Sequence, residues 1–320
     1  MALFKDTEDI AEAFPFLQSV NWPMLLPFVE LVEQEKFRDE ILGPALYDAL
    51  HAAYQASIAD SPTPLSGAMA ALYAKVRRPL AFLTALEQSD TTNVLHTSGG
   101  MAVTETTELK PAHMGRIKAA QASMTKQGYG YLNQLINHLL ANVGTLTDWT
   151  SAPLYEEIHA SLVPTMKEVR PYLKLAGPWL LHHLRPSMRV CQEGPVKKLL
   201  GDAAYDALLT AVQGNTTSAE QKEQLAHIRP AILYSAVSTE LVSLAITIDS
   251  DGVTNWKSVS SGSTVSGGKQ PADKDMLNAQ SRSYAVRADA HLEELRKLVT
   301  PATSNPTVDN SGNNAIYFGG

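Results

Sequence analysis

Nine histidines, one cysteine and several adjacent carboxylates are the residues with which this chain could do chemistry. His182 and His183 are neighbours, so on a helix their side chains diverge by about 100° and do not converge readily on one ion. An HExxH helix, which would set two imidazoles on one face, does not occur. His138 and His291 fall in long helical patterns and read as core-edge or partly exposed side chains. With Cys191 as its only cysteine, the chain can form neither an internal disulfide nor a cysteine-held zinc site. That thiol reads as semi-exposed and structural, at the position where an earlier segment has Glu33.

Nucleophile and phosphate motifs fail in the same way. Ser98-Gly99-Gly100 and Ser261-Gly262-Ser263 do not make a GxSxG elbow. Gly128-Tyr129-Gly130 has no strand before it. Gly268-Lys269 comes nearest to a Walker loop, but Gln270 follows it and Ser263 stands where the first glycine belongs. Arg77-Arg78, Lys197-Lys198 and Arg296-Lys297 read as solvated helix faces, and Glu156-Glu157 and Glu293-Glu294 as solubilising pairs. No catalytic, cofactor-binding or metal-ligating residue is assigned, and the chain reads as non-enzymatic.

The elements that would hold any site come from a chain of 320 residues, 44% hydrophobic and 18% charged, enough for about two packed domains. Its formal net charge is −7, whereas a protein built to grip phosphate backbones is normally basic. The start, MALFKDTEDIAEAF, lacks the basic and apolar regions of a signal peptide. No apolar run reaches the roughly 18 residues of a membrane span.

Internal repetition organises the chain. ILGPALYDAL at 41–50 matches LLGDAAYDAL at 199–208, which pairs Gly43 with Gly201 and Gln34-Glu35 with Gln192-Glu193. Arg78-Pro79 matches Arg229-Pro230, Gly100 matches Gly252, and Pro111-Ala112 matches Pro271-Ala272, all in the same order. Spacing changes fall in polar stretches near Ala59–Gly67 and Ser258–Lys269, where surface loops absorb insertions without disturbing packing.

Each copy reads as helices around one hairpin. Asn21-Trp22-Pro23 predicts a helix start with a capping side chain and an early proline. Leu25, Phe28, Val29, Val32 and Phe37 then recur at three and four residues, which is one buried helical face. Gly43 and Gly201 each end one helix and precede another, so both are expected in a left-handed turn. Helices are expected over 67–87, with a kink or split at Pro79, and over 112–142, roughly 45 Å long. A hairpin is expected around Gly99-Gly100. The second copy should place helices near 178–193, 202–213, 218–244 and 272–299, with a hairpin of Ala245–Ile248 and Gly252–Trp256. A connecting helix is expected around Leu154–Val169. The expected fold is therefore mainly α: a tandem duplication of a helical module (1–145 and 146–299), each with a small β-hairpin, followed by an extended C-terminal arm (300–320).

That arm is rich in Pro, Asn, Gly and Ser and closes on Ile316, Tyr317 and Phe318. A polar arm of about 65 Å reach with an apolar end is expected either as a partner-docking strand, with these three residues as anchors, or as a free chain end, the commoner fate of termini.

NWPMLLPFVELVEQEKF, ILGPALYDALHAAY and HHLRPSMRVCQEGPVKKLLGDAAYDAL, with the Lys110-Pro111-Ala112 that follows the hairpin, resemble an uncharacterised family encoded in phage and prophage regions beside virion genes. More loosely, each copy resembles the helical head–tail connector, or adaptor, proteins of tailed phages. The resemblance implies a structural virion protein assembled in the host cytoplasm, forming a ring with copies of itself between portal and tail. The missing phosphate and metal motifs, the lack of a membrane-length apolar run and the acidic charge lead to the expectation of no cofactor, no membrane and no tight nucleic-acid binding, although in a connector DNA would pass nearby. The duplication departs from the single module of those connectors. A helical scaffold outside the virion is the alternative expectation, and an enzyme with an unrecognised site a more distant one.

Overall fold

The computed structural model describes residues 2–17, 21–92, 95–97, 100–102, 114–174, 177–245, 247–249, 252–261, 264–270 and 274–300. The chain is mainly α-helical. Helix α1 (Thr7–Ala13), to which the sequence reading assigned no element, is capped by Asp6, whose Oδ1 accepts the Asp9 amide at 2.8 Å. Helix α2 (Trp22–Val32) begins with an early proline as expected, but Asn21 makes no side-chain cap; its carbonyl takes the Met24 and Leu25 amides instead. The helix then widens into a π-helical stretch, Glu33–Ile41, before α3 (Gly43–Ile58). Helix α4 (Gly67–Thr92) and helix α5 (Met114–Ala141) pack along each other.

The connecting region is two helices rather than one: α6 (Pro153–His159) and α7 (Met166–Val169). Pro164 supplies no backbone donor, and Thr165 starts α7 afresh with a capping box to Glu168. Helix α8 (Pro178–Cys191) widens into a second π-helical stretch, Gln192–Val196, followed by α9 (Lys197–Leu200) and α10 (Asp202–Gln213). Helix α11 (Ala219–Ala245) packs against α8 and against α12 (Lys274–Val299). Pro79 and Pro230 lie inside α4 and α11, and neither helix is split.

Between α4 and α5 the described backbone pairs β1 (Leu95–Thr97) with β2 (Gly100–Ala102). Between α11 and α12 it pairs β3 (Thr247–Asp249) with β4 (Gly252–Ser261), and β4 with β5 (Thr264–Gln270). Most of Ser258–Lys269, expected as an irregular loop, is thus strand. The spacing change and polar residues pointed to a surface loop there, while the β-branched Val259, Thr264 and Val265 favour extended backbone.

Buried side chains form two cores. The first runs from Leu3 and Phe4 through Leu25, Phe37, Leu46, Leu80 and Leu135 to Trp149, Leu154 and Ile158. The second begins at Leu162 and continues through Leu184, Met188, Leu208, Ile228 and Leu233 to Leu295. The expected division between 145 and 146 therefore falls inside the first core. Trp149, fully buried, explains this: its indole N–H donates to the Ile41 carbonyl at 2.8 Å and fastens the connecting segment to the end of the first π-helical stretch.

Candidate functional site

The most distinctive polar arrangement occurs twice. In the first half, Glu33 opens the π-helical stretch with 3% of its surface exposed. The Leu3 amide donates to its Oε1 at 2.7 Å, and the Tyr47 hydroxyl donates to its Oε2 at 2.9 Å. In the second half, Gln192 opens the other π-helical stretch and is equally buried. The Leu162 amide donates to its Oε1 at 2.7 Å. Its Nε2 donates to the Tyr205 hydroxyl and to the Ala160 carbonyl, both at 2.6 Å. In both halves the tethered amide lies 30 residues before the polar side chain.

These bonds correct the sequence pairing by one residue. Glu33, not Gln34, occupies the position of Gln192, and Cys191 occupies that of Val32 rather than Glu33. Glu33 stands ten positions before Gly43, and Gln192 nine before Gly201. The longer π-helical stretch of the first half takes up the extra residue, since a π-turn spans one residue more than an α-turn. Sequence matching could not see this, because the Gln-Glu pair begins one residue after Glu33 but at Gln192 itself, nine residues before each glycine.

Gly43 and Gly201 both have positive φ, 76° and 77°. Gly201 combines it with ψ 155°, an extended rather than left-handed-helical geometry that is essentially glycine-only. The two differ in crowding. A Cβ at Gly43 would lie 2.9 Å from Ala152 Cα, whereas at Gly201 it would meet nothing within 4 Å.

The chemistry of the twin sites differs with one atom. A carboxylate only accepts hydrogen bonds, while an amide also donates two. Burial raises the Glu33 carboxyl to about 7, against the lowering effect of the Leu3 and Tyr47 bonds. Tyr47 is pushed far up, first by burial and then by the Glu33 charge. Gln192 carries no charge to desolvate.

A second polar region lies at the seam between the cores, where α5 meets α8. Tyr129 packs its ring against His182 and His183 at 5.7 and 6.2 Å, and His182 Nε2 lies 3.4 Å from Glu40 Oε1. Burial lowers His182 to about 4, helped by His183, Arg185 and Lys36, so at neutral pH the imidazole is uncharged and the contact is not an ion pair. Burial also raises Glu40 and Glu157 and lowers Arg185. Arg185, 7% exposed, donates through Nη2 to the Pro164 carbonyl at 3.3 Å, and its Nη1 has no hydrogen-bond partner among the described residues. Two cavities of about 20 Å³ border it, one beside Glu157 and Gln192, the other beside Tyr129 and His182. Each has room for about one water molecule and none for a substrate.

Other residues singled out in the sequence fall elsewhere. His138 and His291 are half-buried and shifted down by burial. Cys191 is buried rather than semi-exposed, and burial raises its thiol, which makes it a poor nucleophile. Arg77 is no solvated face: it is half-buried and pairs with Asp9 and Glu12 of α1. Glu157 is likewise half-buried, whereas Glu293 and Glu294 pair with Arg296 and Lys297 on the surface. Ile316, Tyr317 and Phe318 lie outside the described residues. Among the described residues no group of three or more His, Cys, Asp or Glu could hold a metal ion, and no helix is long and apolar enough to cross a membrane.

No curated protein and no solved structure matches the chain significantly. One family model does, over residues 39–157 and 196–317, a segment in each half. On that match, which covers well over half of its length, the chain belongs to the family of unknown function DUF6712.

Proposed function

We propose that this chain is a tandem duplication of one helical module, each with a small β-hairpin and the second with an extended C-terminal arm, and that it works as a structural head-to-tail connector of a virion. The observation that carries the duplication is the twin site: a buried polar side chain at a π-helical start, an amide tethered 30 residues earlier, a tyrosine partner and a positive-φ glycine, in the same order in each half. The two-segment family match supports the same reading. The connector role comes from the resemblance of the helix pair around Gly43 and Gly201 to tailed-phage adaptors.

In this reading the chain assembles with copies of itself into a ring beneath a portal. The net charge of −7 suits a conduit that lets DNA pass without holding it. Ile316, Tyr317 and Phe318 anchor the arm on a neighbouring subunit, burying aromatic area that a polar arm would otherwise leave in water. Native mass measurement and electron microscopy of the purified chain test the proposal. A closed ring of many copies is expected, weakened by deletion of residues 312–320. A protein that stays monomeric at high concentration and in the presence of a portal ring would overturn it.

A further inference from the structure

The twin sites differ in a way that a duplicated scaffold does not require. In the second half an amide holds the chain; in the first a carboxyl does so with equal burial. The segment that Glu33 tethers is apolar, with Leu3 fully buried and Phe4 1% exposed. It is held from several sides: the Tyr73 hydroxyl donates to the Leu3 carbonyl at 3.0 Å, and the Lys5 amide donates to Asp9 Oδ2 at 3.0 Å. The same segment helps to keep water off the carboxyl it binds.

We propose that Glu33 makes the docking of the Ala2–Phe4 segment on the first core dependent on pH, while Gln192 holds the Leu162 segment on the second core at any pH. This goes beyond the connector reading and stands without it.

Protonated Glu33 can keep Leu3 on one oxygen and donate its proton to the Tyr47 hydroxyl, the pattern Gln192 makes with Tyr205. Ionised Glu33 accepts from both but has little other solvation. Lifting Ala2–Phe4 lets water reach the carboxylate, so ionisation favours the lifted state. The surrounding charges are few. On α2, Glu30 opposes ionisation; the positive amino terminus favours it. On α3, Tyr47 bonds the carboxylate and stacks on His51 at 6.0 Å, with Asp48 and Arg38 acting on Tyr47 with opposite signs. None of these neutralises a buried carboxylate. The sign follows from a folded value of about 7 against an ordinary 4.5: the stabilisation is complete below about pH 4.5 and is lost as pH rises through 7.

Amide hydrogen exchange on the full chain tests this, with Leu162 as the internal reference for Leu3. Between pH 5 and 8 the protection of Leu3 relative to Leu162 should fall by about 100-fold once intrinsic exchange is corrected. Glu33→Gln should abolish the fall, and Gln192→Glu should bring it to Leu162. Carbon-13 titration of the Glu33 carboxyl in the unaltered protein gives a result even where a variant does not fold. A midpoint near 7 supports the proposal. A midpoint near the ordinary glutamate value, or a Leu3-to-Leu162 ratio flat across this range, overturns it.

Discussion

The two halves solve one packing problem with different groups, and the comparison shows what burial does to each. Glu33 and Gln192 have the same shape, the same exposure and the same tethered amide. The amide gains an extra bond, to the Ala160 carbonyl, because it has a donor to spend. The carboxyl cannot make such a bond while ionised and carries a desolvation cost instead, which appears as its raised protonation midpoint. Buried polar groups are therefore tolerated according to how many of their own donors and acceptors are met, more than by charge complementarity at a distance.

The same contrast appears at the glycines. Gly43 and Gly201 share a positive φ, but only the first half has Ala152 pressed against the turn. The connecting segment, held by Trp149, is what crowds it.

The largest expected effect tests where the halves divide. Trp149→Ala should cost about 3–5 kcal/mol, the loss of a fully buried aromatic side chain together with an orphaned Ile41 carbonyl. Urea unfolding followed by residue-resolved exchange should assign that loss to the first core. A loss shared equally with the second core would move the boundary back toward residue 145.

The glycines come next. Gly201→Ala should cost about 1–3 kcal/mol from backbone strain alone. Gly43→Ala should exceed it by about 1–3 kcal/mol, because overpacking against Ala152 backbone adds to the strain. Equal losses in denaturant titrations would show that Ala152 yields freely, and that the two turns are energetically alike.

Glu33→Gln should be nearly neutral at pH 5 and stabilising by about 1–3 kcal/mol at pH 8, where the buried carboxyl is ionised. Thermal or urea unfolding at both pH values measures it. Destabilisation at pH 8 would mean that the ionised carboxyl is better solvated than its burial implies.

The tyrosines come last, and the smallest effect is expected at Tyr205. Tyr47→Phe removes a donor to a carboxylate and should cost about 1.5–3 kcal/mol at pH 8, falling as pH drops. Tyr205→Phe removes a neutral acceptor and should cost about 0.5–1.5 kcal/mol at either pH. A pH-independent loss at Tyr47 would break the contrast between the halves.

By itself the sequence determined the helical class, the order and approximate bounds of most helices, and the likeness of the two glycine turns. Those follow from local regularities: apolar residues at helical spacing, prolines at helix starts, and glycine where a chain must turn with positive φ. It also held the letters of the twin site, but not their alignment. Glu33 and Gln192 differ in type and stand one residue out of step, so no residue-by-residue match could pair them. Their equivalence rests on which distant amide each one meets, Leu3 and Leu162, and on π-helical stretches of unequal length that restore the register before the glycines. The burial of Arg77, Arg185 and Cys191, the attachment of the Trp149 segment to the first core and the protonation state of Glu33 were likewise decided in three dimensions. Local propensity acts between neighbours in the chain. Desolvation and hydrogen-bond satisfaction act between neighbours in space, and only the packed structure says which residues those are.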